Sequence, residues 1–568
     1  MIKKRLLTVL LMGGIIATGA YAQAEKGDSD DMTKKTHELN PVVVTGTGTH
    51  QRLKNTPSPV SVITANEIKR AGITDFQQAL TMMVPSLSFR PNAMGSYLMM
   101  NGLSNKYVLI LINGRKVTGD ISGNIDLNQI DMTRVKRIEV LNGAASSLYG
   151  SDAIGGVINI ITNEPKDVVA FSSNSSYTRK NQFSQGLNLD ISQGKIGSYT
   201  SYKYDHSDGW QNSHLTEDGE DIIETIAPLS LGYSSNNFSQ KFTYDATDQL
   251  SFYANGGYYN RGLERPVERE DITGGSKYNT AYEGYNWGAG AKYKLSKRNV
   301  IQFDYSGNNY ASRYKYLIEN SGYLPGQYAL TKLQKFHDAE LKGIFGFTTN
   351  STTVFGVDYR REVLRRPDSD LDKSVYTTSA YGQHEVKLWN HLTGVVGVRY
   401  DHHEQTGGRF TPKVAAMYNI GNFNVRATYA AGFRAPGIDE LYYHMFKKTM
   451  GTRATISLGD ENLDPEHSNY YSINMEYRTN RFSASVTCYL NYLKKIVTSK
   501  STKFDDLPEA EQNQLREEFP EIGDLSSTKN LSVKNYFNFE KATVKGFEVN
   551  LNGNLFPGFT LAGNYTYA

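Results

Sequence analysis

The sequence has a single cysteine, no long apolar run after its first segment, and almost no net charge. One cysteine among 568 residues, Cys488, excludes an intramolecular disulfide framework. The net charge of +3 indicates no nucleic-acid partner. A mean hydropathy of −0.50 excludes a membrane protein built from apolar helices. It is compatible with a transmembrane β-barrel, whose strands are apolar only at alternate residues.

The sequence also lacks the patterns of a catalytic centre. It contains no G-x-x-x-x-G-K-[ST] loop for nucleotide phosphates, and no Ser/His/Asp arrangement stands out. Cys488 lies among the apolar-face residues of a predicted strand, so we assign it no function. We therefore predict that the protein is not an enzyme and that it carries no resident cofactor.

The first 22 residues have the three parts of a secretory signal peptide. Basic residues 3–5 precede an apolar run, and residues 20–22 (Ala-Tyr-Ala) fit an A-x-A cleavage site. The alternative is an uncleaved anchor helix, but the apolar run is short for one. We expect residues 1–22 to be removed during export.

From residue 168 onward, apolar and polar residues alternate over segments of about ten residues. Phe482 and Val486 share one face of such a segment, and Ser483 and Thr487 share the other. This length suits a tilted strand that crosses a bilayer, whereas strands of a soluble sandwich mostly have about five or six residues. The 39 tyrosines suit strands and membrane interfaces. We count about seventeen such strands and predict an all-β transmembrane barrel.

The connections between these strands are predicted to alternate between two kinds. Short turns are expected at residues 193–195, 296–299, 349–351, 420–422 and 556–558. Long polar loops are expected at residues 207–237, 263–283, 314–331, 435–468 and 497–534. An up-and-down barrel has this alternation, and it places Phe433 at the end of the barrel that carries the long loops.

Residues 135–162 form a distinctive unit ahead of the barrel. Two β-branched runs bracket a segment of small residues that includes Gly143, Gly150 and Gly155. The string IEVLNGAASSLYGSDAIGGVINIIT resembles the end of the plug domain of TonB-dependent outer-membrane receptors. Residues 61–87 and 108–119 extend this resemblance in the order that such plugs have. The resemblance implies an α+β plug inside a 22-stranded type of barrel. The spacing of apolar residues predicts plug helices at residues 65–70 and 74–83.

The resemblance divides the chain into a signal peptide (1–22), a periplasmic arm (23–56), a plug domain (57–165) and an incomplete transmembrane barrel (166–568). About five C-terminal strands are expected to be missing, because 22 strands close such barrels. The alternative is a natural smaller barrel. Val42, Val43, Val44 and Thr45 resemble a TonB box, which pairs with TonB as an added strand. On physical grounds alone, this run is a first strand of the next domain.

The loop after the thirteenth barrel strand carries the predicted ligand contacts. Residues 433–436 (Phe-Arg-Ala-Pro) and Asn462-Leu463 resemble two boxes of haem and haemoglobin receptors. That resemblance implies His444 as a ligand of haem iron. Tyr442 and Tyr443 are predicted to stack on a porphyrin, and Arg434 to pair with a propionate.

The resemblance to haem receptors is incomplete. Asp460-Glu461 stand where the second box has Asn-Pro, and residues 86–106 of the plug contain no histidine. Arg90 and Met94, in a predicted plug loop at residues 89–96, are further candidate ligand contacts. Met99, Met100, His467 and the pair His402-His403 are weaker candidates.

We therefore predict TonB-dependent uptake of an iron-containing ligand, haem or haemoglobin, across a Gram-negative outer membrane. The alternative is a ferric-siderophore or cobalamin receptor. A passive porin needs no plug and no partner-binding arm, and a regulatory receptor needs a domain ahead of the box. The predicted partners are TonB, outer-membrane lipid and the transported ligand.

Overall fold

The computed structural model describes residues 41–568, except 74, 93–94, 122–123, 212, 219–220, 270–273, 390, 449–452 and 557–558. The predicted signal peptide and Met94 lie outside the described residues. In the part of the chain that is described, no helix has the length and apolarity needed to cross a membrane.

The first folded unit is a small α+β domain around a five-stranded sheet. Its strand order is β3-β11-β12-β7-β8, with β12 and β7 parallel. The strands of this unit are β1 Val42–Val43, β2 Gln51–Arg52, β3 Val60–Thr64, β4 Leu87–Asn92, β5 Gly95–Met100, β6 Leu103–Ser104, β7 Val108–Ile112, β8 Arg115–Lys116, β9 Asp120–Ile121, β10 Asn124–Ile125, β11 Val135–Asn142 and β12 Gly156–Thr162. The β-branched runs of the sequence form the central strands.

Three short helices complete this unit: α1 Ala65–Arg70, α2 Phe76–Met83 and α3 Ser146–Tyr149. Thr64 and Glu67 form a capping box on α1, and Asp75 accepts a hydrogen bond from the Gln78 amide to cap α2. Single 3-10 turns lie at Leu53–Asn55, Asn105–Tyr107, Leu127–Gln129 and Met132–Arg134. The two predicted plug helices are confirmed.

One predicted plug loop is a strand pair instead. Residues 89–92 and 95–96 fall within β4 and β5, which pair from Leu87 opposite Met100 to Asn92 opposite Gly95. Phe89 packs against the plug core and Met100 is fully buried in it, which gives both strands an apolar face. The pattern break at Pro91 therefore marks the tip of a hairpin.

The second unit is one antiparallel sheet of long strands. They are β13 Val169–Thr178, β14 Gln182–Gln193, β15 Ile196–Ser207, β18 Gly232–Asp245, β19 Leu250–Glu264, β20 Tyr278–Lys294, β21 Val300–Tyr316, β22 Tyr328–Thr348, β23 Ser351–Arg366, β24 Leu371–Leu388, β25 Leu392–His403, β26 Gly407–Ile420, β27 Phe423–Arg434, β30 Glu466–Arg478, β31 Phe482–Lys503, β32 Leu531–Phe556 and β33 Phe559–Tyr567. Each pairs with the next along the chain.

The remaining elements lie in connections between these strands. They are the strands β16 Leu215–Asp218, β17 Asp221–Glu224, β28 His444–Lys448 and β29 Ala454–Leu458, the helices α4 Ile438–Tyr442 and α5 Glu509–Glu518, and 3-10 turns at Pro367–Ser369, Phe504–Asp506 and Pro520–Asp524. The large sheet counts nineteen strands among the described residues, and without β28 and β29 seventeen span it. Within those residues β13 and β33 each have one neighbour, so the strand number of a closed barrel stays a prediction.

Side chains of the long strands alternate as the sequence predicts, apolar outward and polar inward. Phe482 and Val486 are exposed on the outside of the sheet, whereas Ser483, Thr487 and Asn491 are buried inside. A soluble protein buries the apolar face, so the reversed arrangement is typical of a barrel in lipid.

The first unit lies inside the curve of the sheet. Its side chains form hydrogen bonds with strands far apart in the sheet order: Thr133 with Asn188 on β14, Asp126 with Tyr310 on β21, and Asn142 with Glu548 on β32. Only a sheet that wraps around this unit brings β14 and β32 to opposite sides of it. The first unit is therefore a plug in the bore of the barrel.

Candidate functional site

The long-loop end of the barrel carries a cap built from two loops. The hairpin β28–β29 follows α4, and β29 pairs in parallel with the start of β32. Helix α5 covers this junction, where Ile456, Phe504, Leu515 and Val533 form a buried apolar cluster. The cap therefore has its own apolar core.

Arg434 fastens this loop to the barrel. Its guanidinium donates to Glu466 Oε1 at 2.6 Å and to Glu440 Oε2 at 2.7 Å, and the side chain is buried. Tyr107 of the plug donates to the other oxygen of Glu466 at 2.6 Å. The pairing of Arg434 with a propionate stays a prediction, and two buried carboxylates already bind its two terminal nitrogens.

The predicted haem residues do not converge on one point. His444 Nε2 lies 3.2 Å from Glu518 Oε2, and its ring stacks on Phe519 with centroids 4.4 Å apart. Tyr442 donates to Gln405 at 2.9 Å. Among the described residues, no three His, Cys, Asp or Glu side chains are grouped to hold a metal ion. The assignment of His444 to haem iron stays a prediction, and the cap side of its ring is already covered by Phe519.

Tyr443 points away from His444, toward a cluster of basic and aromatic side chains below the cap. Its hydroxyl accepts a hydrogen bond from Arg366 Nη1 at 2.8 Å. Burial, followed by the charge of Arg366, lowers the pKa of Lys447. Asp368, which forms an ion pair with Arg366 at 2.7 Å, opposes this shift, and Arg265 adds to it. Arg265 lies over the Tyr278 ring, 5.7 Å from its centroid. We call Arg265, Arg366, Lys447, Tyr278, Tyr314 and Tyr443 the basic-aromatic vestibule.

The floor of the vestibule belongs to the plug. Asp120 forms an ion pair with Lys332 Nζ at 2.9 Å, and its amide donates to Gln334 Oε1 at 2.8 Å. Burial, with a further contribution from Glu440, raises the pKa of Asp439 beside it. Arg90 is exposed on β4, whereas Met100 packs in the plug core and does not face ligand.

The predicted partner-binding segment, residues 42–45, is held inside the barrel. Glu139 Oε2 accepts hydrogen bonds from Val44 N at 2.9 Å, Thr45 N at 2.8 Å and Thr45 Oγ1 at 2.6 Å. Tyr149 Oη donates to Thr45 O at 3.0 Å. Thr45 is fully buried. We call Glu139 and Tyr149 the clamp. The interpretation of this run as a first strand also holds, because β1 pairs with β2.

Comparison with known protein families agrees with this architecture. The family model "TonB dependent receptor-like, beta-barrel" matches residues 209–568, and the "TonB-dependent Receptor Plug Domain" matches residues 52–157. The first match alone spans more than half of the chain.

The chain belongs to the TonB-dependent receptors. It is therefore an outer-membrane β-barrel protein with a plug. We refer to it below as the receptor, to the long-loop end as the outer end, and to the short-turn end as the periplasmic end.

Individual relatives are distant but cover most of the receptor. It is 25% identical over 508 residues to "Vitamin B12 transporter BtuB" of Photobacterium profundum, covering 87% of this chain and 75% of the relative. It is also 25% identical over 642 residues to "Ferric enterobactin receptor PirA" of Pseudomonas aeruginosa, covering 98% and 80%. Both sequence identities are too low to assign a relative's ligand to the receptor.

Solved structures give the same fold. The ferric enterobactin receptor PfeA of Pseudomonas aeruginosa superposes with a TM-score of 0.71 at 17% identity, covering 89% of the receptor and 80% of that chain. The FrpB iron transporter of Neisseria meningitidis gives a TM-score of 0.68 at 13% identity, covering 89% and 79%. These likenesses support the plugged barrel only.

Sequence reasoning missed the residues that the structure brings together. Arg366 and Lys447 are 81 positions apart in the sequence, and Glu139 meets Thr45 across 94 positions. A signal that could have found Glu139 is its charge between the apolar residues Ile138 and Val140, because an ionised side chain that is buried needs partners.

Proposed function

We propose that the receptor imports an anionic ferric siderophore, driven by TonB through residues 42–45. The basic-aromatic vestibule is the observation that carries this proposal. Three cationic side chains surround stacked tyrosines, with Tyr278 and Tyr314 centroids 3.7 Å apart. Arg366 is paired with Asp368 at 2.7 Å, whereas Lys447 forms no ion pair among the described residues. An anion with aromatic rings satisfies both features, since it neutralises Lys447 and stacks on the tyrosines.

This proposal favours the alternative ligand of the sequence analysis, a ferric siderophore, over haem. The haem prediction depended on His444 and Arg434, but Arg434 is bound by two carboxylates and His444 is turned toward α5. The relatives reported above are a vitamin B12 transporter, ferric enterobactin receptors and an iron transporter. Cobalamin is the second candidate, because a vitamin B12 transporter covers 87% of the receptor.

Transport requires that ligand binding at the outer end be coupled to partner binding at the periplasmic end. The ligand would contact the vestibule floor at Asp120, and the partner would pair with residues 42–45 once these leave the clamp. Transport makes and breaks no covalent bond. It therefore requires ligand binding at the outer end and mechanical work by the periplasmic partner. The proposed domain limits are those of the sequence: an arm (23–56), a plug (57–165) and a barrel (166–568).

Ligand titration tests the proposed class. Ferric enterobactin, vitamin B12 and haemin are added separately to the purified receptor, and quenching of intrinsic tryptophan fluorescence reports binding. We expect ferric enterobactin to bind, Arg366→Ala to weaken it, and Arg365→Ala to leave it unchanged. Arg365 is the matched control, because it precedes Arg366 on β23 and is exposed on the other face. Tighter binding of vitamin B12 or haemin than of ferric enterobactin would overturn the assignment.

A further inference from the structure

The outward face of strands β22 and β23 carries a group of basic side chains. Alternation along each strand fixes their direction. Asp338 on β22 and Arg360 on β23 face the bore, where their side chains lie 3.6 Å apart and are buried. The preceding residue on β22, His337, and the following one on β23, Arg361, therefore face outward, and they lie opposite each other in the strand register. Lys335, two residues before His337, faces outward as well.

This group lies at the outer edge of the apolar band of the barrel. Ten residues separate Ser351, at the periplasmic end of β23, from Arg361. At about 3.4 Å per residue and a tilt of about 40°, they span a height of about 25 Å, which is the height of the apolar band in such barrels. Between them, Phe355, Val357 and Tyr359 are exposed on the outward face. Arg361 therefore lies level with the headgroups of the outer leaflet.

Aromatic side chains mark the same level. Tyr359 stacks on Tyr376 of β24, with centroids 6.3 Å apart. On the other side, Tyr305 Oη of β21 lies 2.9 Å from His337 Nδ1. Membrane barrels carry such aromatic girdles where the apolar band meets the headgroups. Because β22 starts at the outer end, Lys335 lies on the headgroup side of this girdle.

Lys335 and Arg361 are placed to share one anion. They are diagonal neighbours across the β22–β23 pair, since Lys335 lies opposite Val363 and His337 opposite Arg361. Diagonal neighbours in an antiparallel pair are about 7–8 Å apart, which two long side chains can bridge. The Arg361 guanidinium also donates to Ser374 Oγ on β24 at 3.4 Å. We call Lys335, Arg361 and Ser374 the wall patch.

The receptor does not itself neutralise the cations of the wall patch. In the part of the chain that the structure describes, neither Lys335 nor Arg361 forms an ion pair. Two outward carboxylates flank the patch, and both have other contacts. Asp372 lies 3.8 Å from the Arg365 side chain, and Glu404 accepts a hydrogen bond from the main chain of β24 at 3.1 Å. Cations held at a membrane surface attract anionic lipid headgroups.

We propose that the wall patch binds a phosphate group of a lipid in the outer leaflet. Lys335 and Arg361 donate to its oxygens, which offer more acceptors than a carboxylate does. The acyl chains of the same lipid lie along Phe355 and Val357 below. The wall patch faces away from the bore, so this inference does not depend on the identity of the transported ligand.

Lipid binding by the purified receptor tests this proposal. Native mass spectrometry measures the affinity for lipid A, which carries phosphate on a sugar headgroup, in the unchanged receptor and in the double variant Lys335→Gln with Arg361→Gln. The matched control is Lys297→Gln with Arg298→Gln, which removes the same charge from an exposed turn at the periplasmic end.

We expect lipid A to bind the double variant roughly 30-fold more weakly, about fivefold for each cation. The periplasmic control should bind it like the unchanged receptor. Arg361→Lys keeps the charge and should retain most of the affinity, which shows that the cation matters. Unchanged affinity in the double variant, or an equal loss in the control, would overturn the wall patch.

A second set of ligands separates phosphate recognition from other sources of binding. Lipid A whose phosphates have been removed should bind the unchanged receptor as weakly as lipid A binds the double variant. Inorganic phosphate in large excess should not displace lipid A, because the acyl chains add apolar contact that free phosphate lacks. Equal binding of the dephosphorylated lipid would refute phosphate recognition, and displacement by inorganic phosphate would refute a lipid as its source.

Discussion

Replacing Glu139 by Ala should free the partner-binding segment without ligand. The Glu139 carboxylate accepts three hydrogen bonds from Val44 and Thr45, at 2.6 to 2.9 Å. Hydrogen bonds to a charged group contribute about 1.5–3 kcal/mol each, and bonds that share one oxygen are not additive. We take a loss of about 3 kcal/mol for the set, which shifts the equilibrium between docked and free segment roughly 100-fold toward the free form.

The affinity for the periplasmic partner measures this shift. A partner that binds only the free segment has an apparent affinity reduced by the fraction that is free. Without ligand, Glu139→Ala receptor should therefore bind the partner's C-terminal domain more tightly than the unchanged receptor, as read by fluorescence anisotropy. Tyr149→Phe removes one hydrogen bond and should give a smaller gain, roughly fivefold for about 1 kcal/mol.

Glu164→Ala is the matched control for the clamp. Glu164 is exposed, forms an ion pair with Lys241 at 2.9 Å and lies on the same side of the plug, but it does not contact residues 42–45. Its removal should leave partner binding unchanged. Equal affinities for Glu139→Ala and Glu164→Ala receptor would refute the clamp.

Four further results are expected. Arg434→Leu leaves Glu440 buried without its cation and Glu466 with only Lys106 and Tyr107. It should destabilise the receptor by about 3–5 kcal/mol, measured by denaturant unfolding, whereas an unchanged midpoint would contradict the buried Arg434–Glu440–Glu466 network. Leu515→Ala opens a cavity under α5 and should cost about 2–5 kcal/mol of cap stability, read as faster proteolysis in the loop after β31. Burial, followed by the charges of Lys292 and Arg137, lowers the pKa of His50. The neighbouring partner-binding segment is therefore docked most stably above pH 6.5, the pKa of His50 in the unfolded chain. Its docking weakens as the pH falls below that value. A spin label at residue 42 should accordingly gain mobility from about pH 7.5 to about pH 5.5, and His50→Gln should abolish this change. His444→Ala should leave the haemin spectrum unchanged, and a lost Soret shift would restore the haem prediction.

The barrel could be predicted from the sequence because its signal is local. Alternation over segments such as 482–492 depends only on which side of one strand meets lipid. The count of about seventeen strands agrees with the seventeen that span the sheet among the described residues. The caps of α1 and α2 are also local, since each joins residues three positions apart.

The ligand site could not be predicted in the same way, because it depends on contacts between distant segments. The parallel pairing of β29 with β32 sets the course of the loop after β27, and nothing near residue 454 indicates it. Arg434 was assigned to ligand from its motif, but Glu440 and Glu466 bind it from both sides. Tyr443 and His444 are neighbours in sequence, yet they face Arg366 and Glu518 respectively.

Uptake of ferric enterobactin by a receptor with a proline in the partner-binding segment tests the central claim most directly. Val43→Pro prevents the segment from adding as a strand to a partner, because proline has no amide hydrogen to donate. Cells that produce this variant as their only receptor for ferric enterobactin should bind the ligand normally and take up none of it. Undiminished uptake by these cells would contradict partner-driven transport.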